Sequence, residues 1–223
     1  MKPIFYMLMG FIFMTGCIHQ ETPGLDINDL RSDFAKGAEI SNAKTNAWEK
    51  QINDLYADAK TNPAAAIKKT DDIIKTDTSL DKFDIAELYF IKGDIYYHEA
   101  DYQKALGQFS GSLKAAGIDA PKYLAARAGA YIKLKEFDKA HDDLNKAAEV
   151  NYDYDWNIGN YYEIIGKKDS AASYYHKLYE HDTIFYKSCM DRIIELNNPE
   201  TKLFTELIFT DRDRKMLTWK AAN

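Results

Sequence analysis

Leu88-Tyr-Phe-Ile-Lys-Gly-Asp-Ile-Tyr96, followed closely by Asp101-Tyr-Gln-Lys-Ala-Leu-Gly-Gln-Phe109, contains a spacing that the chain uses three times. Gly93 is followed by Tyr96, Ala105, Phe109 and Ser112, at steps of three, nine, four and three residues. Ala128, Tyr131, Ala140, Leu144 and Ala147 repeat those steps, as do Gly159, Tyr162, Ala171, Tyr175 and Leu178. Steps of three and four put residues on one helix face. The nine-residue step crosses a turn, at Glu99-Ala-Asp-Tyr102, Lys135-Glu-Phe137 and Gly166-Lys-Lys-Asp169. Each copy therefore reads as two short antiparallel helices. The small residues let the pair approach closely, and the large ones fill the space beside them.

The tyrosines Tyr96, Tyr131 and Tyr162 recur at 35 and 31 residues, so only the connecting loops vary. The pattern resembles the tetratricopeptide repeat, written W-x2-L-G-x2-Y…A-x3-F with a period of about 34 residues. Two departures stand out. Ala128 replaces the preferred glycine in the second copy, and Lys168 replaces the aromatic before the second helix in the third. The resemblance implies an all-α solenoid of stacked helix pairs, a scaffold rather than an enzyme.

Outward from the repeats, the start of the chain has a different character. Lys2 precedes an apolar run from Ile4 to Met14, too short to span a bilayer, and Met14-Thr-Gly-Cys17 follows. This resembles the signal peptide and lipobox of bacterial lipoproteins, which implies cleavage after Gly16 and acylation of Cys17. An ordinary signal peptide with a chance cysteine is the alternative. Ile18 follows the cysteine where an aspartate would retain the protein at the inner membrane. The expectation is therefore delivery to the outer membrane, with the periplasmic face preferred to the cell surface. Residues 17–42 form the lipidated cysteine and a tether broken by Thr22-Pro-Gly24, and residues 43–220 form the helical domain.

The 223 residues carry a formal charge of −6, and removing Lys2 makes the mature chain one unit more acidic. An acidic chain does not track phosphates, so nucleic acid is not the expected ligand. There are two cysteines, so acylation of Cys17 leaves Cys189 alone, and it reads as a buried structural residue.

Within the domain, 47–80 reads as a degenerate first repeat and 86–119, 121–151 and 152–183 as the clear ones. Asp26–Phe34 is a candidate short helix. Ser41-Asn42 offers a cap for a helix bearing Trp48, Ile52, Leu55 and Tyr56. Pro63 suits the first turn of its partner, and Thr70 sits where an aromatic is expected. Capping helices are expected over 184–220, one from Phe185 to Leu196 and an apolar face at Leu203, Phe204, Leu207 and Ile208.

In stacked helix pairs the first helices line the inner wall, and a helical projection selects the residues that face it. These are Glu87, Phe90, Asp94, Tyr97 and His98 in the first clear copy. The second supplies Lys122, Ala125, Gly129, Ile132 and Lys133, and the third Asp153, Trp156, Asn160, Glu163 and Ile164. Aromatics flanked by acids suit an extended or helical protein segment with basic and apolar residues. The same aromatics would equally serve packing between repeats. A carboxylate clamp is disfavoured, because Asp94 and Glu163 oppose Lys122, Lys133 and Asn160.

Tyrosines crowd 152–186 beside Trp156, either as a glycan platform or as core with hydroxyls at the rim. The five histidines lack metal-ligand spacing, and no phosphate loop or nucleophile elbow is present, so no metal, cofactor or catalytic residue is assigned. The sequence thus predicts a lipid-anchored adaptor that holds a protein or peptide partner at the bacterial envelope. A glycan- or nutrient-binding surface lipoprotein and a periplasmic toxin-neutralising lipoprotein are the other classes it admits.

Overall fold

A computed structural model describes residues 27–181 and 187–208, with side chains from residue 44 onward. The signal segment, Cys17, the tether up to residue 26, Phe185 and everything after Ile208 lie outside the described residues, whereas residues 27–42 of the expected tether belong to a helix. Among the described residues every regular element is a helix. In order they are α1 (Ile27–Thr61), α2 (Pro63–Thr76), α3 (Lys82–His98), α4 (Tyr102–Ala116), α5 (Pro121–Lys133) and α6 (Phe137–Val150). A short 3-10 turn (Tyr152–Tyr154) then leads into α7 (Asp155–Ile164), α8 (Lys168–His181) and α9 (Lys187–Leu196).

Two expectations need correction. Helix α1 is already formed where Ser41-Asn42 was expected to cap it, because a local capping preference does not stop a helix that nothing interrupts. Residues 201–208 hold no helix, although their apolar residues have helical spacing. Their backbone groups bond to other elements, as described below.

Starts and stops are set by short-range chemistry. The Asn62 side chain accepts from Ala65 N, with Pro63 in the first turn of α2. Asp81 and Asp84 form a reciprocal capping box at α3. Asp101 caps α4, which ends at Gly117 in the left-handed region with φ 68°.

The three hairpin turns are alike in the backbone although their residues differ. Asp101 N donates to Tyr96 O at 2.9 Å, Glu136 N to Tyr131 O at 2.9 Å, and Lys167 N to Tyr162 O at 2.8 Å. Each closes a helix by the same six-residue loop, and the repeated tyrosine supplies the accepting carbonyl. The residue before each donor is left-handed: Ala100 at φ 59°, Lys135 at 63° and Gly166 at 78°.

Packing explains the residue steps. Ala105, Ala140 and Ala171 are fully buried, as are Phe109, Leu144 and Tyr175. A Cβ placed on Gly93 would lie 2.5 Å from the Phe109 ring, and one on Gly159 would lie 2.3 Å from Tyr175. Glycine is what lets α3 meet α4 and α7 meet α8 at this distance. From α3 onward each helix packs on its neighbours in the chain, and α3 also touches α5.

Polar groups tie the layers where apolar ones do not. Thr70 is fully buried in α2 and returns its hydroxyl to Ala66 O at 2.8 Å, so it fits where an aromatic was expected. Lys92 on α3 pairs with Asp71 on α2. Arg127 on α5 grips Asp143 on α6 through Nε at 2.7 Å and Nη2 at 2.8 Å.

Candidate functional site

The expected wall residues fall into two clusters. In the first, on α3 and α5, Lys122 Nζ donates to both Glu87 oxygens at 2.8 and 3.0 Å, and Tyr123 Oη donates to Glu87 at 3.3 Å. The ammonium also stands 4.1 Å above the Phe90 ring. Burial, with Glu87 next to it, pushes the Tyr123 phenol well above its ordinary value. Phe90 itself is buried between Phe109 and Tyr123. Asp94, Tyr97 and Ile132 are buried too, so they lie within the helix layers rather than on an open wall. Ala125 and Gly129 share that burial, whereas Asp153 is exposed.

The second cluster is built on α7. Asn157, Asn160 and Glu163 lie three residues apart, on one stripe of the helix, and are 6%, 0% and 1% exposed. A buried polar stripe requires partners. Some come from the last hairpin: Asn160 Nδ2 donates to Tyr175 Oη at 2.7 Å, and that hydroxyl donates to Glu163 Oε1 at 2.7 Å. Burial, followed by the Glu163 carboxylate, raises the Tyr175 phenol far above the usual range, so it stays a donor. Arg192 of α9 closes on the same carboxylate, Nε to Oε1 at 3.0 Å and Nη2 to Oε2. The hydrogen bond to Glu163 raises the guanidinium further above a value that already keeps it charged.

The remaining partners come from residues 201–208, which lie across α7. Ile208 N donates to Asn160 Oδ1 at 3.1 Å, and Ile208 O accepts from Asn157 Nδ2 at 3.0 Å. Two side-chain amides one helical turn apart thus hold both main-chain groups of one residue. Phe204 N donates to Glu163 Oε2 at 3.2 Å, and Lys202 O accepts from Arg192 Nη2 at 3.0 Å. Phe204 lies with its ring 4.2 Å beneath the Arg192 guanidinium. Lys133 of α5 reaches Glu206 at 3.0 Å. Leu207 is the one residue of 201–208 that is buried, within the cluster containing Tyr154, Ile158 and Tyr161.

The structure therefore brings Lys133, Asn160 and Glu163 together at the expected wall and covers them with the chain's own segment. Trp156 is half-buried against Tyr175, with ring centroids 4.8 Å apart. Asn157 and Arg192 were missed by the helical projection. The legible signal was the run Asn157-x-x-Asn160-x-x-Glu163, polar residues in a stripe on a first helix.

Among the described residues no group of three or more His, Cys, Asp or Glu side chains could hold a metal. No described helix is long and apolar enough to cross a membrane.

These helix pairs define the class: an all-α protein of stacked antiparallel hairpins. No family model matches the chain, and neither does any curated protein. Among solved structures, the chain is similar to one titled "First TPR of Spaghetti (RPAP3) bound to HSP90 peptide SRMEEVD". That alignment has 22% identity and a TM-score of 0.42, and it covers 50% of this chain and 90% of the other.

Proposed function

We propose that this chain is a lipid-anchored adaptor of the bacterial envelope that binds an extended segment of a protein partner on its first-helix wall. One observation carries the reading. Asn157, Asn160, Glu163 and Arg192 already bind main-chain groups of a non-helical segment. Side chains that satisfy peptide N–H and C=O groups recognise extended chain whatever its sequence, and neighbouring pockets add selectivity. The anchor rests on Met14-Thr-Gly-Cys17 and the apolar run before it.

A photo-crosslinking residue at Trp156, introduced in cells, tests the adaptor role. A recurring partner whose crosslinked peptide is lost when Lys133 becomes Glu supports it. Calorimetric binding of cell-wall glycan to the purified chain, with no protein crosslink in cells, refutes it. Cys17→Ser tests the anchor, since the protein should then leave the membrane fraction.

A further inference from the structure

We propose that the strip formed by α5, α7 and α9 takes a partner segment with the chemistry of Phe204-x-Glu206-Leu207, and that residues 201–208 fill this strip in cis until displaced. The proposal rests on the protein-binding reading above and names both the partner's chemistry and the competitor.

Three observations support it. First, the strip reads main chain at both ends, Lys202 O and Phe204 N at one and both groups of Ile208 at the other. A covering element needed only to hide apolar surface would not require this. Second, the side-chain contacts have a defined order. Arg192 stacks on an aromatic, Lys133 pairs with an acid two residues further on, and the next residue, an aliphatic, enters the core. An incoming segment with that order would meet every one of these groups.

Third, the occupant is built to leave. Lys202, Thr205, Glu206 and Ile208 are exposed, and Leu207 alone is buried. The segment has no regular secondary structure of its own and follows the turn at Asn197–Glu200, where Lys168 holds the carbonyls of Asn198 and Pro199. When it departs, the amides of Asn157 and Asn160 face water, which satisfies them as well as a peptide does.

A site filled in cis for all but a fraction of the time binds an outside ligand more weakly by the inverse of that fraction. The probe is a fluorescent peptide copying residues 200–208, titrated by anisotropy against the full-length chain and its variants. Leu207→Asp places a charge at the buried position and releases the segment. Ile208→Pro removes the N–H given to Asn160 without placing a charge in the core.

The peptide should bind each folded variant about tenfold or more tightly than wild type. A peptide carrying its own Leu207→Asp change should bind none of them. Should Leu207→Asp fail to fold by circular dichroism, Ile208→Pro decides alone. Equal affinity for wild type and variants overturns the cis competition while leaving the binding site standing. No binding to any folded variant overturns the whole proposal, whereas crosslinks recurring from Trp156 would still uphold the adaptor reading. A wild-type dimer that Leu207→Asp converts to monomer overturns filling in cis, since the segment would then be exchanged between copies.

Discussion

Glycine at position 159 is the most exacting site in the repeats, and a single methyl group tests it. In Gly159→Ala the new Cβ would lie 2.3 Å from Cε1, 2.7 Å from Cδ1 and 2.8 Å from Cζ of Tyr175. That ring is fully buried and cannot slide aside without breaking its 2.7 Å bonds to Asn160 and Glu163. Overpacking of this kind costs about 1–3 kcal/mol, and a buried polar group left unsatisfied costs about 1–3 more. Alanine's better helix propensity offsets about 1 kcal/mol, leaving a net loss of about 1–5 kcal/mol.

Two other glycines calibrate the result. At Gly93 the obstacle is Phe109 at 2.5 Å, a ring with no hydroxyl to anchor it, so Gly93→Ala should lose only about 0–2 kcal/mol. At Gly107 a Cβ meets nothing within 4 Å, so Gly107→Ala should gain up to about 1 kcal/mol. Urea unfolding followed by far-UV circular dichroism ranks the three. If Gly159→Ala unfolds at the wild-type midpoint, or later than Gly93→Ala, the account of Tyr175 as an anchored ring is wrong.

Other predictions follow from single contacts. Arg127→Ala abandons Asp143 in a site where its side chain is 5% exposed, so it should destabilise by about 3–5 kcal/mol. Adding Asp143→Ala should recover part of that loss in a double-mutant cycle. Ala100→Gly and Lys135→Gly should each stabilise the fold by about 1 kcal/mol or somewhat more, read as a higher unfolding midpoint, by relieving a left-handed backbone. Gly166→Ala should lower it by a similar amount. Burial pushes the Cys189 thiol up to about 11, so at pH 8 in the Cys17→Ser protein a thiol reagent should label it slowly until urea is added. Fast native labelling would contradict the burial.

The repeats were legible because their side-chain steps are consequences of helix geometry, and Gly93 with Phe109 or Ala140 with Leu144 can be read without any long-range knowledge. The degenerate unit was harder: Thr70 satisfies its own hydroxyl within the helix, which no pattern of apolar residues reveals. The wall was legible only in part. A projection puts Asn160 and Glu163 on the side of α7 that residues 201–208 cover, but it cannot tell that Phe90 packs between Phe109 and Tyr123 or that Asp94 is fully buried. Residues 201–208 misled because Leu203, Phe204, Leu207 and Ile208 fit a helix equally well. What decides their conformation is a set of acceptors and donors on α7 and α9, more than forty residues away for Asn160 and Ile208. Such non-local competition leaves no mark in the local spacing.

The phenol at position 175 also gives the last repeat a polarity. Because Tyr175 gives its proton to Glu163, it can only receive one from Asn160, which fixes the amide of Asn160 end for end. The carbonyl half is thereby turned toward residues 201–208, where it accepts from Ile208 N. The first clear copy has Phe109 at the corresponding place, which fills a similar space and orients nothing. One oxygen atom inside a hairpin thus gives a buried amide a sense of direction, so that its oxygen rather than its nitrogen meets the main chain laid across α7.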